Sequence, residues 1–187
     1  GVLGESVVVG NTVLDNLVGI KTTYSDKVLV TMHRRENHIN MSSWFEAINQ
    51  LAMDNPELRF EMPLHPNPNV KKHKDLLTNV NVVSPFDYDT MIEEISKCRF
   101  LISDSGGIQE ESSFLNKKVI VCRKITERPE SVGKHSFMCR EPKDLKGLFY
   151  SLKDNYEVDL ECPYGDGRSS KRIVKYLKEK IYGNSSS

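Results

Sequence analysis

Six short apolar runs, most followed by a segment of helical character, limit what this chain can fold into. Val28–Met32, Leu58–Met62, Val80–Val83, Phe100–Ser103 and Val119–Cys122 are rich in β-prone residues, and a shorter run covers Phe137–Cys139. Val28–Met32, Phe100–Ser103 and Val119–Cys122 are continuous rather than alternating, as in strands covered on both faces. Between the runs, apolar residues fall at helical spacing. Trp44, Phe45, Ile48, Leu51 and Ala52 predict a helix over 41–53, and others are expected over 70–77, 90–96, 107–115, 144–152 and 169–181. Strands alternating with helices predict an α/β fold built on a doubly wound parallel sheet. Ligands in such sheets sit beyond the carboxyl ends of the strands, so chemistry is to be sought directly after each run.

The first twenty residues read differently. Val7–Val9 followed by Gly10-Asn11-Thr12 reads as a strand end, a turn, and then a helix over Val13–Val18. No partner strand precedes it, as though the chain begins inside a larger fold. The closing Gly-Asn-Ser-Ser-Ser is polar and expected to be disordered.

Composition narrows the function. Lys and Arg together number 26, Asp and Glu also 26, so the 187 residues carry no net charge. A nucleic-acid binder would show a basic excess, so none is expected as partner. An anionic ligand must instead be gripped by local geometry. The length fits one domain or one large lobe, which needs no disulfide staples. No apolar run approaches the ~18 residues of a membrane span, and no secretory leader pattern opens the chain. The cysteines at 98, 122, 139 and 162 are too widely spaced for a zinc site or a CxxC pair, and read as reduced thiols of a cytosolic protein.

The polar segments after the strands carry the functional signal. After the first comes His33-Arg34-Arg35-Glu36-Asn37-His38. Its arginines and histidine either grip an anion, with forked guanidinium donors, or form a solvated loop of self-paired charges. After the second, Pro63-Leu64-His65-Pro66-Asn67-Pro68-Asn69 fixes His65 on a rigid turn at the same sheet edge. His33, His38 and His65 lack the cysteine or close-spaced carboxylate of a zinc site, so no metal is expected.

After the fourth strand, Asp104-Ser105-Gly106-Gly107-Ile108-Gln109-Glu110-Glu111 runs straight from strand to helix. Paired glycines let backbone N–H groups approach a ligand, and a new helix start offers unpaired donors and partial positive charge. Together they make a phosphate seat that needs no net basic charge. Ser105 adds a hydroxyl, and Glu111 can accept from both ribose hydroxyls. The plainer alternative is a glycine turn with dipole-favoured glutamates. The segment matches neither GxxxxGK[ST] nor GxGxxG, which disfavours ATPase chemistry and a dinucleotide cofactor. After the fifth strand, Arg128 is locked by Pro129 and either closes over a ligand or is merely solvated. Tyr164-Gly165-Asp166-Gly167-Arg168 reads as a tight turn and cap before the last helix.

Five motifs then occur in order: His33-Arg-Arg-Glu-Asn37, His65-Pro-Asn-Pro-Asn-Val70, Asp104-Ser-Gly-Gly-Ile-Gln-Glu-Glu111, Thr126-Glu-Arg-Pro-Glu130 and Pro163-Tyr-Gly-Asp-Gly167. With them the chain resembles the C-terminal half of a non-hydrolysing UDP-N-acetylglucosamine 2-epimerase, and Gly10–Asp15 resembles the segment where that family crosses between lobes. The resemblance departs after Asn37, where His38 and Ile39 replace an apolar residue and a glycine.

The resemblance implies a Rossmann-like lobe of a two-lobe glycosyltransferase-B architecture. Residues 1–20 would be the inter-lobe crossover segment, 21–182 the UDP-binding lobe and 183–187 the tail. It implies interconversion of UDP-N-acetylglucosamine and UDP-N-acetylmannosamine by elimination and re-addition of UDP, without a cofactor, in a cytoplasmic, homodimeric parent that makes cell-surface polysaccharide precursors. The acids that move the proton at C2 would lie in an N-terminal lobe outside this chain, leaving the isolated chain inactive. Ser105, Gly106 and Gly107 would bind the diphosphate, Glu111 the ribose, and Arg128 the nucleotide. His33 would lie near the diphosphate and the reacting sugar. Arg34 or Arg35, with His65, would line a cleft that in bacterial members takes a second, activating UDP-N-acetylglucosamine. Met91, in a loosely matching uracil-facing stretch, receives no role. A hydrolysing epimerase, a glycosyltransferase, or a non-catalytic nucleotide-sugar module with the same lobe remain alternatives.

Overall fold

The computed structural model describes residues 4–183. Strands β1 (Lys27–Thr31), β2 (Arg59–Pro63), β3 (Asn81–Val83), β4 (Phe100–Ser103), β5 (Val119–Cys122) and β6 (Ser136–Cys139) form one parallel sheet in the order β3-β2-β1-β4-β5-β6. The chain builds outward from β1 to one edge, then returns to β4 on the other side of β1 and builds to the opposite edge. The helices are α1 (Met41–Asp54), α2 (Pro68–Lys71), α3 (Tyr88–Lys97), α4 (Gly106–Phe114), α5 (Leu145–Lys153) and α6 (Ser169–Tyr182). The fold is the doubly wound parallel sheet that the alternating pattern predicts.

Strand periodicity sorts the core into two layers. Val28, Val30, Phe60, Phe100, Ile102 and Ile120 point to one face, where Trp44, Phe45 and Ile48 of α1 and Phe149 of α5 cover them. Phe149 sits 5.6 Å from both Phe60 and Phe100, ring to ring. Leu29, Leu101, Val119 and Val121 point to the other face, under Ile92 and Ile95 of α3 and Ile108 of α4. Burying each of the large side chains contributes about 2–3 kcal/mol.

Two expectations need correction. Val7–Val9 forms no strand and is largely exposed, with no neighbouring strand to pair it. The segment after it is a 3-10 helix, Thr12–Leu17, rather than an α-helix. Its only buried residues, Leu14 and Leu17, are three apart, which the three-residue period of a 3-10 turn puts on one face. The helix expected over 70–77 is split. Asn67 accepts from the Asn69 N–H at 2.9 Å and Pro68 occupies the first turn, so α2 starts early and ends at Lys71. A separate 3-10 turn covers Lys74–Leu76. Lys71, Lys72, Lys74 and Asp75 leave that stretch too few apolar residues to hold one continuous helix against the core. Of the expected tail, Gly183 follows α6 directly, and 184–187 lie outside the described residues.

The strand order reverses between β1 and β4. This is the switch point of a doubly wound sheet, where the diverging connections open a crevice at the carboxyl ends. Thr31 and Ser103 form the last rung there, with their hydroxyl oxygens 2.7 Å apart. His33 follows the first strand of this pair and Asp104 the second.

Candidate functional site

Asp104 organises the crevice. It is fully buried, and its carboxylate accepts from the backbone N–H of His33 at 3.0 Å and of Arg34 at 2.8 Å. It also accepts from Asn37 Nδ2 at 3.0 Å, and the same amide donates to the Cys122 carbonyl at 2.9 Å. The loop after β1, the residue after β4 and the end of β5 are thereby joined through one buried carboxylate and one buried amide.

His33 stands at the mouth of this knot. Its ring stacks on His65 with centroids 5.1 Å apart and planes 19° from parallel. His33 Nδ1 lies 3.6 Å from Asp104 Oδ1, beyond a good hydrogen bond. Burial disfavours the imidazolium, the Asp104 charge opposes this, and the net effect lowers the His33 pKa. A cleft of about 160 Å³ opens here, walled by His33, His65, Pro85, Phe86, Met91 and Ile108. Apart from the two histidines and Thr31, its lining is apolar.

α4 begins at Gly106, immediately beyond the crevice. Ser105, in the cap position, makes no side-chain capping bond, and the first turn holds no acidic residue. The first N–H groups of α4 and its dipole are thus open to an anion. Arg128 lies directly over this start. A Cβ on Gly106 would stand 2.5 Å from Arg128 Nη1 and 2.8 Å from its Cζ, so only glycine permits the approach. Gly107 has open space at its own Cβ position.

The loop carrying Arg128 is tied down at several points. Gln109, buried on α4, accepts from the Thr126 hydroxyl at 2.8 Å, and Thr126 Oγ1 accepts from the Arg128 N–H at 3.1 Å. Arg123, just after β5, pairs with Glu36 at 2.6 Å and with both oxygens of Glu127. Those carboxylates raise its pKa, while the Arg123 guanidinium pulls Glu127 down to about 2. Glu36 therefore pairs across to β5, not with the arginines of its own run. Arg35 is exposed, and Arg34 is half-buried with its Nε lacking a partner.

Glu111 is buried on the same helix. Desolvation raises its pKa, the neighbouring Glu110 charge adds to the rise, and a hydrogen bond from Tyr88 opposes it. The Tyr164–Arg168 stretch is a turn, as expected, but the cap of α6 comes from far away. Asp15 accepts from the N–H groups of Ser169 at 2.9 Å and Ser170 at 2.6 Å.

The structure thus gathers His33, His65, Ser105, Gly106, Gly107 and Arg128 around the carboxyl ends of the central strands. Among the described residues, Arg34 and Arg35 form no ion pair. Three cysteines are buried and Cys162 is half-buried, all as free thiols. Among the described residues no cluster of three His, Cys, Asp or Glu could hold a metal ion. A larger groove of about 950 Å³ lies elsewhere, between Val8–Gly10 and the 159–166 segment. Its arginine, Arg172, already pairs bidentately with Asp166 at 2.6 and 2.8 Å. We therefore place the candidate site at the strand ends, where unpaired donors remain. Sequence reasoning missed the roles of Asp104, Gln109, Glu110 and Arg123. The one available signal was a carboxylate directly after a buried strand at the reversal point.

The family model "UDP-N-acetylglucosamine 2-epimerase" matches residues 4–178. The chain belongs to this family. A UDP-N-acetylglucosamine 2-epimerase of Neisseria meningitidis is 38% identical over 91% of this chain and 54% of its own length. One from Campylobacter jejuni is 37% identical over 80% of this chain and 42% of its own. The chain spans about half the length of the relatives it matches. Among solved structures, the N. meningitidis epimerase bound to UDP-GlcNAc superposes with a TM-score of 0.81 at 35% identity, covering 92% of this chain and 55% of that one. A Staphylococcus aureus MnaA–UDP structure gives 0.79 at 30%, covering 94% and 53%. A heptosyltransferase of Escherichia coli, at 0.50 and 17%, shares the fold alone. The family member's fold is a Rossmann-like lobe of the glycosyltransferase-B type. No described helix is long and apolar enough to cross a membrane.

Proposed function

We propose that this chain is the UDP-binding lobe of an enzyme that interconverts UDP-N-acetylglucosamine and UDP-N-acetylmannosamine without hydrolysing them. The observation that carries the proposal is the uncapped start of α4 with the Arg128 guanidinium laid on Gly106, beside the β1–β4 reversal. Two relatives of this fold, at 35% and 30% identity, hold UDP-GlcNAc and UDP. Residues 21–182 form the lobe, and 1–20 the segment crossing to an N-terminal lobe.

In this reading the N–H groups of Ser105, Gly106 and Gly107 and the Ser105 hydroxyl receive the diphosphate, and Arg128 closes over it. Glu111 accepts from the ribose hydroxyls, a charge-assisted contact that also relieves its buried, unneutralised state. The cleft behind His33 and Phe86 takes the uracil or sugar end. Epimerisation begins with cleavage of the anomeric C–O bond, and the electron pair leaves with UDP. Preorganised N–H donors and Arg128 stabilise that departing charge, worth several kcal/mol where water is excluded. His33 is largely neutral in the empty site. An arriving diphosphate raises its proton affinity, so it can present a proton or N–H to the leaving oxygen. Loss of the C2 proton as UDP departs leaves a C1=C2 double bond, and protonation of C2 on its other face with re-addition of UDP at C1 completes the inversion. The acids for that proton transfer belong to the other lobe, so the 187 residues alone bind but do not turn over. His65 on the cleft wall, with Arg34 or Arg35 of the neighbouring loop, would take a second nucleotide sugar, and the parent is a homodimer.

The test is titration of UDP into the chain by calorimetry or NMR. A Kd between about 1 µM and 1 mM, with shifts at Ser105–Glu111, is expected for half a site. Absence of such shifts at millimolar UDP refutes the proposal.

A further inference from the structure

Arg128 is steered by a carboxylate outside the proposed ligand contacts. Glu110 lies on α4 with its side chain 16% exposed. Its Oε1 accepts from Arg128 Nε at 2.7 Å. Its Oε2 accepts from Asn11 Nδ2, at the foot of the first 3-10 helix. With Nε held, the guanidinium keeps a fixed plane, and its Nη1 lies over Gly106, only loosely shared with Glu127 at 3.5 Å. The Nη edge of the fork is what remains for a ligand.

The backbone of Arg128 is fastened to the same place. The Tyr164 hydroxyl hydrogen-bonds the Arg128 carbonyl at 3.1 Å, and the Tyr164 carbonyl accepts from the Asn11 N–H at 2.8 Å. The chain crossing there is tight. Gly10 sits at φ +92°, where an added Cβ would lie 2.7 Å from Ser169 Oγ and 3.3 Å from Gly165 Cα. Side chain and main chain of Arg128 are thus both referred to Asn11.

We propose that Glu110 is a positioning residue that presents the Nη edge of Arg128 to an anionic diphosphate and ties that edge to the Asn11 segment. The proposal rests on the reading of the α4 start as the nucleotide seat. On Coulomb grounds alone Glu110 is a handicap, because a carboxylate beside a diphosphate repels it. Its presence makes sense if orientation outweighs the field, and the two views predict opposite signs.

The experiment compares UDP and uridine binding by NMR titration in wild type, Glu110→Gln, Glu110→Ala and Asn11→Ala, each also checked by thermal melting. Glu110→Ala is expected to weaken UDP about tenfold while leaving uridine binding unchanged and lowering Tm by no more than about 4 °C. Glu110→Gln, which keeps an acceptor for Nε, should lose no more than about threefold. The Arg128 Nε–H resonance should be sharp and slowly exchanging in wild type and lost in Glu110→Ala. In an Arg128→Ala background, Glu110→Ala should cost nothing. Unchanged or tighter UDP binding in Glu110→Ala, equal loss of uridine, or the same loss without Arg128 each overturns the positioning role alone. A wild type that fails to bind UDP overturns the seat and this role together.

Discussion

Gly106→Ala tests the anion seat most directly, because the structure supplies the size of the effect. The new methyl group would lie 2.5 Å from Arg128 Nη1, where ordinary contact needs at least 3.4 Å. The guanidinium must retreat by about 0.9 Å, a distance that takes it out of line with both α4 and Glu110. The backbone raises no objection, since Gly106 is not in the left-handed region and sits in the first helical turn. Alanine there gains up to about 1 kcal/mol of helix propensity, which offsets the weakened Arg128–Glu110 pair. Tm should therefore move by no more than about 4 °C. UDP binding should fall much more. A charge-assisted hydrogen bond contributes about 1.5–3 kcal/mol, so losing one in-line Arg128 contact weakens UDP roughly 10- to 100-fold. The assay is isothermal calorimetry of UDP alongside a melting curve. Affinity within twofold of wild type, with an unchanged fold, would refute the claim that Arg128 on Gly106 forms the seat.

Further outcomes follow from neighbouring residues. Gly107→Ala meets no atom within 4 Å, so the empty protein should be unperturbed or slightly stabilised, and any loss of UDP affinity by calorimetry reports the phosphate itself. Glu111→Ala should weaken UDP without unfolding the lobe, and wild-type affinity in that variant removes the ribose role. The pKa of Glu111 is raised on folding, so its protonated carboxyl is accommodated without penalty below the ordinary carboxylate pKa, and ionisation costs stability as pH rises through the folded value. Glu111→Gln should accordingly raise Tm at pH 7, with the gain closing towards pH 4. His33 and His135 have pKa values lowered by burial, so they titrate the other way. Stability is full above about 6.5 and declines as pH falls through their folded values, which urea melts at pH 7.5 and 5.5 should register. His135→Gln should flatten that decline, because His135 is fully buried with Nδ1 unpartnered.

The strands were legible because their residues are buried on both faces, so apolar runs such as Phe100–Ser103 and Val119–Cys122 had little freedom to be anything else. The early segment was not, because its form depends on what it packs against. Leu14 and Leu17 alone choose a 3-10 turn, and Val7–Val9 has no strand to pair with. The site was legible where backbone chemistry makes it. The Ser-Gly-Gly step does open a helix at the strand ends, and the close approach at Gly106 is to the Arg128 side chain. The polar wiring was illegible because its members are far apart in sequence. Asn11 and Glu110 are 99 residues apart, and Arg123 and Glu36 are 87 apart. No local pattern marks either pair.

On the proposed reading, that wiring explains how a chain with no net charge would seat an anion. Several of its cations are already matched. Lys27 is buried between Glu61 and Glu94 and Arg123 lies between Glu36 and Glu127, while Arg172 pairs with Asp166 at the surface. Each such pair neutralises its own field within a few ångströms, so none draws a diphosphate from a distance. What is left at the crevice is directional: the uncapped N–H groups of α4, the Nη edge of Arg128, and a neutral His33 beside them. A site of this kind binds weakly until the ligand is in register. It also ties Arg128, through Glu110, to Asn11 in the segment that would link the two lobes. Strengthening the seat with an added surface lysine near Ser105 should therefore raise association at low salt but not replace Arg128. UDP affinity restored in Arg128→Ala by such a lysine would show that charge, not orientation, governs the site.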